Sequence, residues 1–159
     1  MSTMHLADEH ATAELGRALA ATLVGGDIVT IDGQLGAGKT TLVRAMAQAM
    51  GVPTAEIGSP SFGLAHEHTT ASGGRLLHLD AYRLSSADDL DAIGWDEWLR
   101  DPACIICMEW SACVQPLPGR DATIAITLWH VASGRDVEVA WADAQRASVF
   151  AWPASGATP

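Results

Sequence analysis

Gly33-Gln34-Leu35-Gly36-Ala37-Gly38-Lys39-Thr40 is the stretch that decides how the rest of this chain is read. Gly-x₄-Gly-Lys-Thr is a complete Walker A pattern. Each part has a physical task. Glycines let the backbone turn its N–H groups inward around phosphates with no Cβ in the way. A helix that starts at the end of the motif presents unpaired amide donors and the positive end of its dipole, both of which favour anions. Lys39 supplies a mobile cation for the β- and γ-phosphates, and the Thr40 hydroxyl is of the kind that ligates Mg²⁺.

The flanks agree. Asp27 to Ile31 reads as a short, buried central strand. Thr41 to Met50 is a good helix former, closed by Gly51 and Pro53. With glycine near ~7% of residues, a chance match in a chain this long has odds below about 1%. A P-loop site also needs a carboxylate at the end of a nearby strand to orient the metal shell. Asp80 follows Leu76-Leu77-His78-Leu79, and Glu109 follows the apolar run Ala103 to Met108. Glu109 is the favoured metal ligand, because the run before it has the composition of a strand buried beside the P-loop strand.

Further out, Ala11, Leu15, Leu19 and Leu23 recur at helical spacing, with Asp8 available as a cap. Ser61 to His68 and Arg75 to Leu79 read as an antiparallel pair around a polar turn. Ser86 to Leu99 is acidic and helical, in two pieces broken at Gly94. Ala122 to Leu128 and Asp136 to Trp141 suggest a final hairpin around Ser133-Gly134. The expected fold is α/β: a single P-loop NTPase-like domain over 1–150, with a mixed β-sheet, a parallel core, antiparallel edge strands and flanking helices. Residues 151–159, small and polar, are expected to be a disordered tail.

Composition narrows the function. The chain of 159 residues carries a formal net charge of −10, and among its nine basic residues Lys39 is the only lysine. A protein that grips nucleic acid by itself needs a basic patch to displace counterions, so direct RNA or DNA binding is disfavoured. No apolar run reaches the ~18–20 residues of a membrane span, and the start of the chain lacks a signal pattern; a cytoplasmic protein is expected. Cys104 and Cys107 have CxxC spacing, but on a strand they face opposite ways, which favours core packing over metal or redox chemistry. His66 and His68 would share one strand face, as a metal pair or as ordinary exposed histidines. Trp95 and Trp98 sit at helical spacing beside the acidic group Asp88, Asp89, Asp91, Asp96 and Glu97, as core residues or as a docking patch. Guanine-specific P-loop proteins read the base with Asn-Lys-x-Asp; this chain has no asparagine and no second lysine, so ATP is expected rather than GTP.

Several segments converge on one family. The P-loop, then Ser59-Pro60-Ser61-Phe62, then His78-Leu79-Asp80-Ala81-Tyr82-Arg83-Leu84, then Glu109-Trp110 resemble the TsaE (YjeE) family, the small ATPases of bacterial tRNA threonylcarbamoyladenosine biosynthesis. Asp8 to Thr12 and Gly134-Arg135-Asp136 are similar too, so the resemblance runs from about residue 8 to 140. It implies that Leu35, Gly36, Ala37, Gly38, Lys39, Thr40 and Thr41 bind the nucleotide, and that Thr40 and Glu109 hold Mg²⁺. Lys39, Asp80 and Glu109 would be the catalytic group, with Asp80 near the γ-phosphate, where it would position water. Ser59, Pro60 and Ser61 would form a switch-like segment. Glu9 and Arg135 would flank the nucleoside, and Trp110 would sit near the same cleft. Gln34 stands where the family commonly has Asp, and Ser111 where it has Pro after the Glu-Trp pair.

The resemblance further implies an accessory Mg²⁺-dependent ATPase of low intrinsic activity. It would dock on the TsaB–TsaD heterodimer and touch tRNA only through those partners. Two other classes compete. A small-molecule kinase would need a lid or an acceptor pocket, and no lid insertion is evident. A non-catalytic ATP-binding module would show no phosphate release.

Overall fold

The computed structural model describes residues 2–58 and 64–153. Its frame is one seven-stranded sheet: β1 (Ser2–Leu6), β2 (Ile28–Gly33), β3 (Ala65–Thr69), β4 (Arg75–Asp80), β5 (Cys104–Glu109), β6 (Ile124–His130) and β7 (Arg135–Trp141). The spatial order is β1-β7-β6-β2-β5-β4-β3. β6, β2, β5 and β4 run parallel, while β3, β7 and β1 pair antiparallel at the margins. This is the mixed sheet with a parallel core that the sequence predicts.

Alternation along the central strands explains why both faces must be covered. On β5, Cys104, Ile106 and Met108 enter one apolar cluster, whereas Ile105 and Cys107 enter the other. Helix α1 (Glu9–Ala20) and α2 (Lys39–Ala49) pack together on the second face through Leu15, Leu19, Leu42 and Met46. On the first face lie α3 (Ala87–Ala92) and α4 (Trp95–Arg100), which bury Leu90 and Trp95. Asp8 caps α1 by accepting from the Ala11 amide at 2.9 Å. Gly94, at φ +96°, separates α3 from α4, where the sequence predicts the break.

Two elements escape the sequence reading. β1 is a short edge strand that pairs with β7, and α5 (Ala144–Val149) follows the last strand. Arg146 on α5 holds the carboxylate of buried Asp27 with two bonds, 2.8 and 2.7 Å, and donates to the Thr22 carbonyl at 2.9 Å. Packing continues past residue 150, since Trp152 stacks edge-on against Phe150 with ring centres 5.3 Å apart. Among the described residues no helix is long and apolar enough to cross a membrane.

Cys104 and Cys107 are buried on opposite faces of β5. Burial pushes their thiols up, to about 11 and about 12. Because the thiolate is the reactive form, only a very small fraction of either thiol would be reactive at pH 8. Titration of the native protein with a disulfide reagent at that pH should therefore show one fast equivalent, from half-buried Cys113. The other two should appear only in denaturant. Three fast equivalents would overturn the packing reading of the pair.

Candidate nucleotide site

The site forms where the parallel strands end. Gly33 closes β2 with φ +142°, and a Cβ there would collide with the Leu128 carbonyl of β6. Gly38 starts α2 at φ +100°, and a Cβ there would run into the Arg135 guanidinium. Two glycines of the motif thus answer to close approaches as well as to backbone twist. The loop is also tied to β6: the His130 amide donates to Gln34 Oε1 at 3.2 Å, and the His130 ring nitrogen lies 3.3 Å from the Leu35 carbonyl.

Lys39 is buried at 5% exposure. Its ammonium donates to the carbonyls of Gly33 (2.9 Å) and Gln34 (2.8 Å) and lies 3.6 Å from the centre of the Trp110 ring. Burial pulls its pKa below the usual lysine range, while Glu109, Asp80 and Asp32 act in the opposite direction. Glu109 stands opposite Ile31 on β2 and opposite Asp80 on β4, so the two acids predicted from strand ends are neighbours. Thr40 Oγ1 donates to Glu109 Oε2 at 3.0 Å. Asp80 Oδ1 accepts from the Tyr82 amide at 3.0 Å.

A cavity of about 270 Å³ opens here, lined by Leu35, Gly36, Gly38, Lys39, Thr40, Thr41, Asp80, Glu109 and Trp110. Of the remaining residues singled out in the sequence, Ala37 is fully buried beneath the loop. Arg135 packs against Gly38, with its Nε buried and without a partner among the described residues. Glu9 is exposed at the first turn of α1, three residues beyond Leu6, which pairs with Arg135. Neither Glu9 nor Arg135 lines the cavity. Ser59, Pro60 and Ser61 lie outside the described residues. A larger space, about 460 Å³, lies between the C-terminal ends of α1 and α2. It gathers no comparable set of charges, so chemistry and not volume marks the site. His66 and His68 lie with ring centres 6.3 Å apart, but among the described residues no group of three or more His, Cys, Asp or Glu side chains is placed to hold a metal.

Two polar ties were not legible beforehand. His78 Nε2 bonds Glu109 Oε1 at 2.7 Å, and both side chains are buried. Asp32, just before the motif, accepts from Ser111 Oγ at 2.5 Å and from the Ala112 amide at 3.1 Å. Only the place of His78 and Asp80 on one face of β4, and of Asp32 at the end of β2, could have flagged them. Asp32 secures a strained turn: Trp110 has φ +60°, unusual for a bulky residue. Its amide is held by the Ile31 carbonyl at 3.0 Å. Ser111, where the resembling family has Pro, supplies the hydroxyl for this tie.

The Thr40 and Glu109 oxygens have the spacing of one edge of a metal's coordination shell. Octahedral Mg²⁺ at about 2.1 Å from each ligand needs neighbouring oxygens about 3.0 Å apart, and these lie 3.0 Å apart. A hydroxyl and a carboxylate are hard oxygen donors, so the pair fits Mg²⁺.

The comparisons with known proteins point one way. The family model described as "Threonylcarbamoyl adenosine biosynthesis protein TsaE" matches residues 6–137. A relative from Streptomyces coelicolor, named tRNA threonylcarbamoyladenosine biosynthesis protein TsaE, is 44% identical over 61% of this chain, and the match spans 65% of that protein's own length. Proteins of the same name from Nostoc and Aquifex aeolicus are 36% and 39% identical, over 80% and 65% of this chain and 78% and 82% of their own. The crystal structure of Bacillus subtilis YdiB superimposes with a TM-score of 0.68 at 22% identity, covering 92% of this chain and 89% of the other, which supports the fold.

Removing the Asp32 carboxylate tests the turn. Asp32→Ala deletes both bonds to the Ser111–Ala112 segment and should lower unfolding stability by about 2 kcal/mol in urea melts. The fluorescence difference between the parent and Trp110→Phe isolates the ring over Lys39; in the Asp32→Ala background it should shrink or move to the red. An unchanged difference spectrum would show that Asp32 does not hold that ring.

Proposed function

The chain belongs to the TsaE family of threonylcarbamoyl adenosine biosynthesis proteins, and from that premise we propose that it is a Mg²⁺-dependent ATPase serving tRNA threonylcarbamoyladenosine modification. The observation that carries this reading is the convergence, at one sheet end, of a buried ammonium with the Thr40–Glu109 oxygen pair. The loop amides and the start of α2 receive phosphate oxygens. Lys39 exchanges its bonds to Gly33 and Gln34 for bonds to the nucleotide. Thr40 and Glu109 would hold the metal, which would supply positive charge to the oxygens of the phosphoryl group that passes to water. Asp80, next to Glu109 across the register, accepts a hydrogen bond from water and orients it. Glu9 and Arg135 lie toward the nucleoside, Trp110 beside Lys39 bounds the cleft, and Ser59 and Ser61 act as the segment that senses the γ-phosphate.

The protein acts as an accessory to the TsaB–TsaD pair. A net charge of −10 supports an indirect relation to tRNA, with the RNA left to basic partners. ATP in place of GTP accords with the absence of asparagine from the whole chain.

Calorimetry tests the site. Lys39→Ala should weaken Mg·ATP binding by about a hundredfold, ~2.8 kcal/mol. Glu109→Gln should bind ATP but lose Mg²⁺-dependent phosphate release. A Lys39→Ala protein that binds as tightly as the parent would refute the assignment. For the partnership, a pull-down with a non-hydrolysable ATP analogue should recover TsaB and TsaD, and their absence with and without nucleotide would argue for a stand-alone role.

A further inference from the structure

We propose that His78 is a positioning residue for the Glu109 carboxylate: it holds Oε1 so that Oε2 stays turned toward Thr40. The inference rests on the reading of Thr40 and Glu109 as the Mg²⁺ pair, and it adds a residue that this reading does not contain.

The geometry is explicit. β4 and β5 run side by side with Asp80 opposite Glu109 and His78 opposite Cys107. His78, two residues back from Asp80, therefore shares its face of the sheet. The imidazole is fully buried, with 0% exposure, and its Nε2 lies 2.7 Å from Glu109 Oε1. A metal-ligating carboxylate only accepts, so in that role Glu109 takes this bond from an N–H on Nε2. The other carboxylate oxygen is engaged by Thr40 at 3.0 Å. Each oxygen of Glu109 thus has one partner, and the plane of the carboxylate is set by two bonds from different elements.

Stability alone does not account for an imidazole here. Leu76, on the same strand face, shows that this layer accepts an aliphatic side chain. His78 Nδ1 is buried and has no hydrogen-bond partner among the described residues, a cost that a leucine would not carry. What the imidazole adds over a leucine is one N–H aimed at Oε1. A histidine bonded to a carboxylate ligand from outside the metal's own shell orients that ligand, and the loss of such partners typically costs about 10- to 100-fold in metal affinity.

The test uses the full chain with three substitutions. His78→Leu keeps bulk and removes the donor. His78→Gln carries an amide N–H at about the reach of Nε2. His78→Asn carries one too short to arrive. ATP binding is measured by calorimetry in EDTA and across a Mg²⁺ titration. In EDTA all variants should bind ATP within about twofold of the parent, because the P-loop is untouched. The Mg²⁺ concentration for half-maximal enhancement of binding should rise at least about tenfold in His78→Leu and His78→Asn. His78→Gln should remain within about threefold of the parent. Equal Mg²⁺ dependence in the parent, Gln and Asn forms would overturn the inference. If His78→Leu does not fold, the Gln and Asn pair still decides. A parent whose ATP binding ignores Mg²⁺ would sink the underlying metal reading, and this inference with it; a parent that responds to Mg²⁺, with the same Mg²⁺ dependence in every substituted form, sinks this inference alone.

Discussion

A buried ammonium must find acceptors, and Lys39 finds them on its own loop. Its bonds to the Gly33 and Gln34 carbonyls fold the side chain back across the motif, and the Trp110 ring closes the remaining side. Much of the site follows from this. The loop must turn tightly enough to present two carbonyls to one nitrogen, which glycine at Gly33 and Gly38 permits. The residue after Glu109 must place an aromatic face over the nitrogen, which a left-handed Trp110 does. That conformation persists because Asp32 and Ile31, at the end of the P-loop strand, hold the turn from the other side. The strand before the motif and the strand before the acid are thus joined by sheet pairing and, beyond the sheet, by side chains.

Legibility in the sequence followed the range of the interactions. The P-loop, the buried run that became β5, the break at Gly94 and the Asp8 cap depend on residues a few positions apart, and each stands where local pattern predicts it. The neighbouring of Asp80 and Glu109 was half legible: both lie at apolar strand ends, but only the parallel register of β4 with β5 makes them adjacent. The ties of His78 to Glu109 and Ser111 to Asp32 join residues 31 and 79 positions apart, and no periodicity announces such pairs. β1 escaped because five residues at a sheet edge need only one partner strand, and Met4 and Leu6 are too few to make an alternation. α5 is held less by an apolar stripe than by Arg146 reaching Asp27. A helix fixed by one long-range ion pair leaves little hydrophobic pattern to read.

Charge couples the lysine, the acids and the loop. Asp32, Asp80 and Glu109 all raise the proton affinity of Lys39 against its burial, so this lysine already stands among three acids. A triphosphate entering there would bring further negative charge beside two of the acids that line the cavity, Asp80 and Glu109. At an effective dielectric near 20, like charges 4 Å apart repel by about 4 kcal/mol. One lysine, a loop of amides and a helix terminus would have to offset several such pairs. A divalent ion seated on the Thr40–Glu109 edge would turn the nearest of these repulsions into an attraction. The acidity of the cavity therefore argues for the metal more strongly than the motif alone does. On the proposed reading it also explains why the orientation of Glu109 matters enough for a buried histidine to be kept beside it.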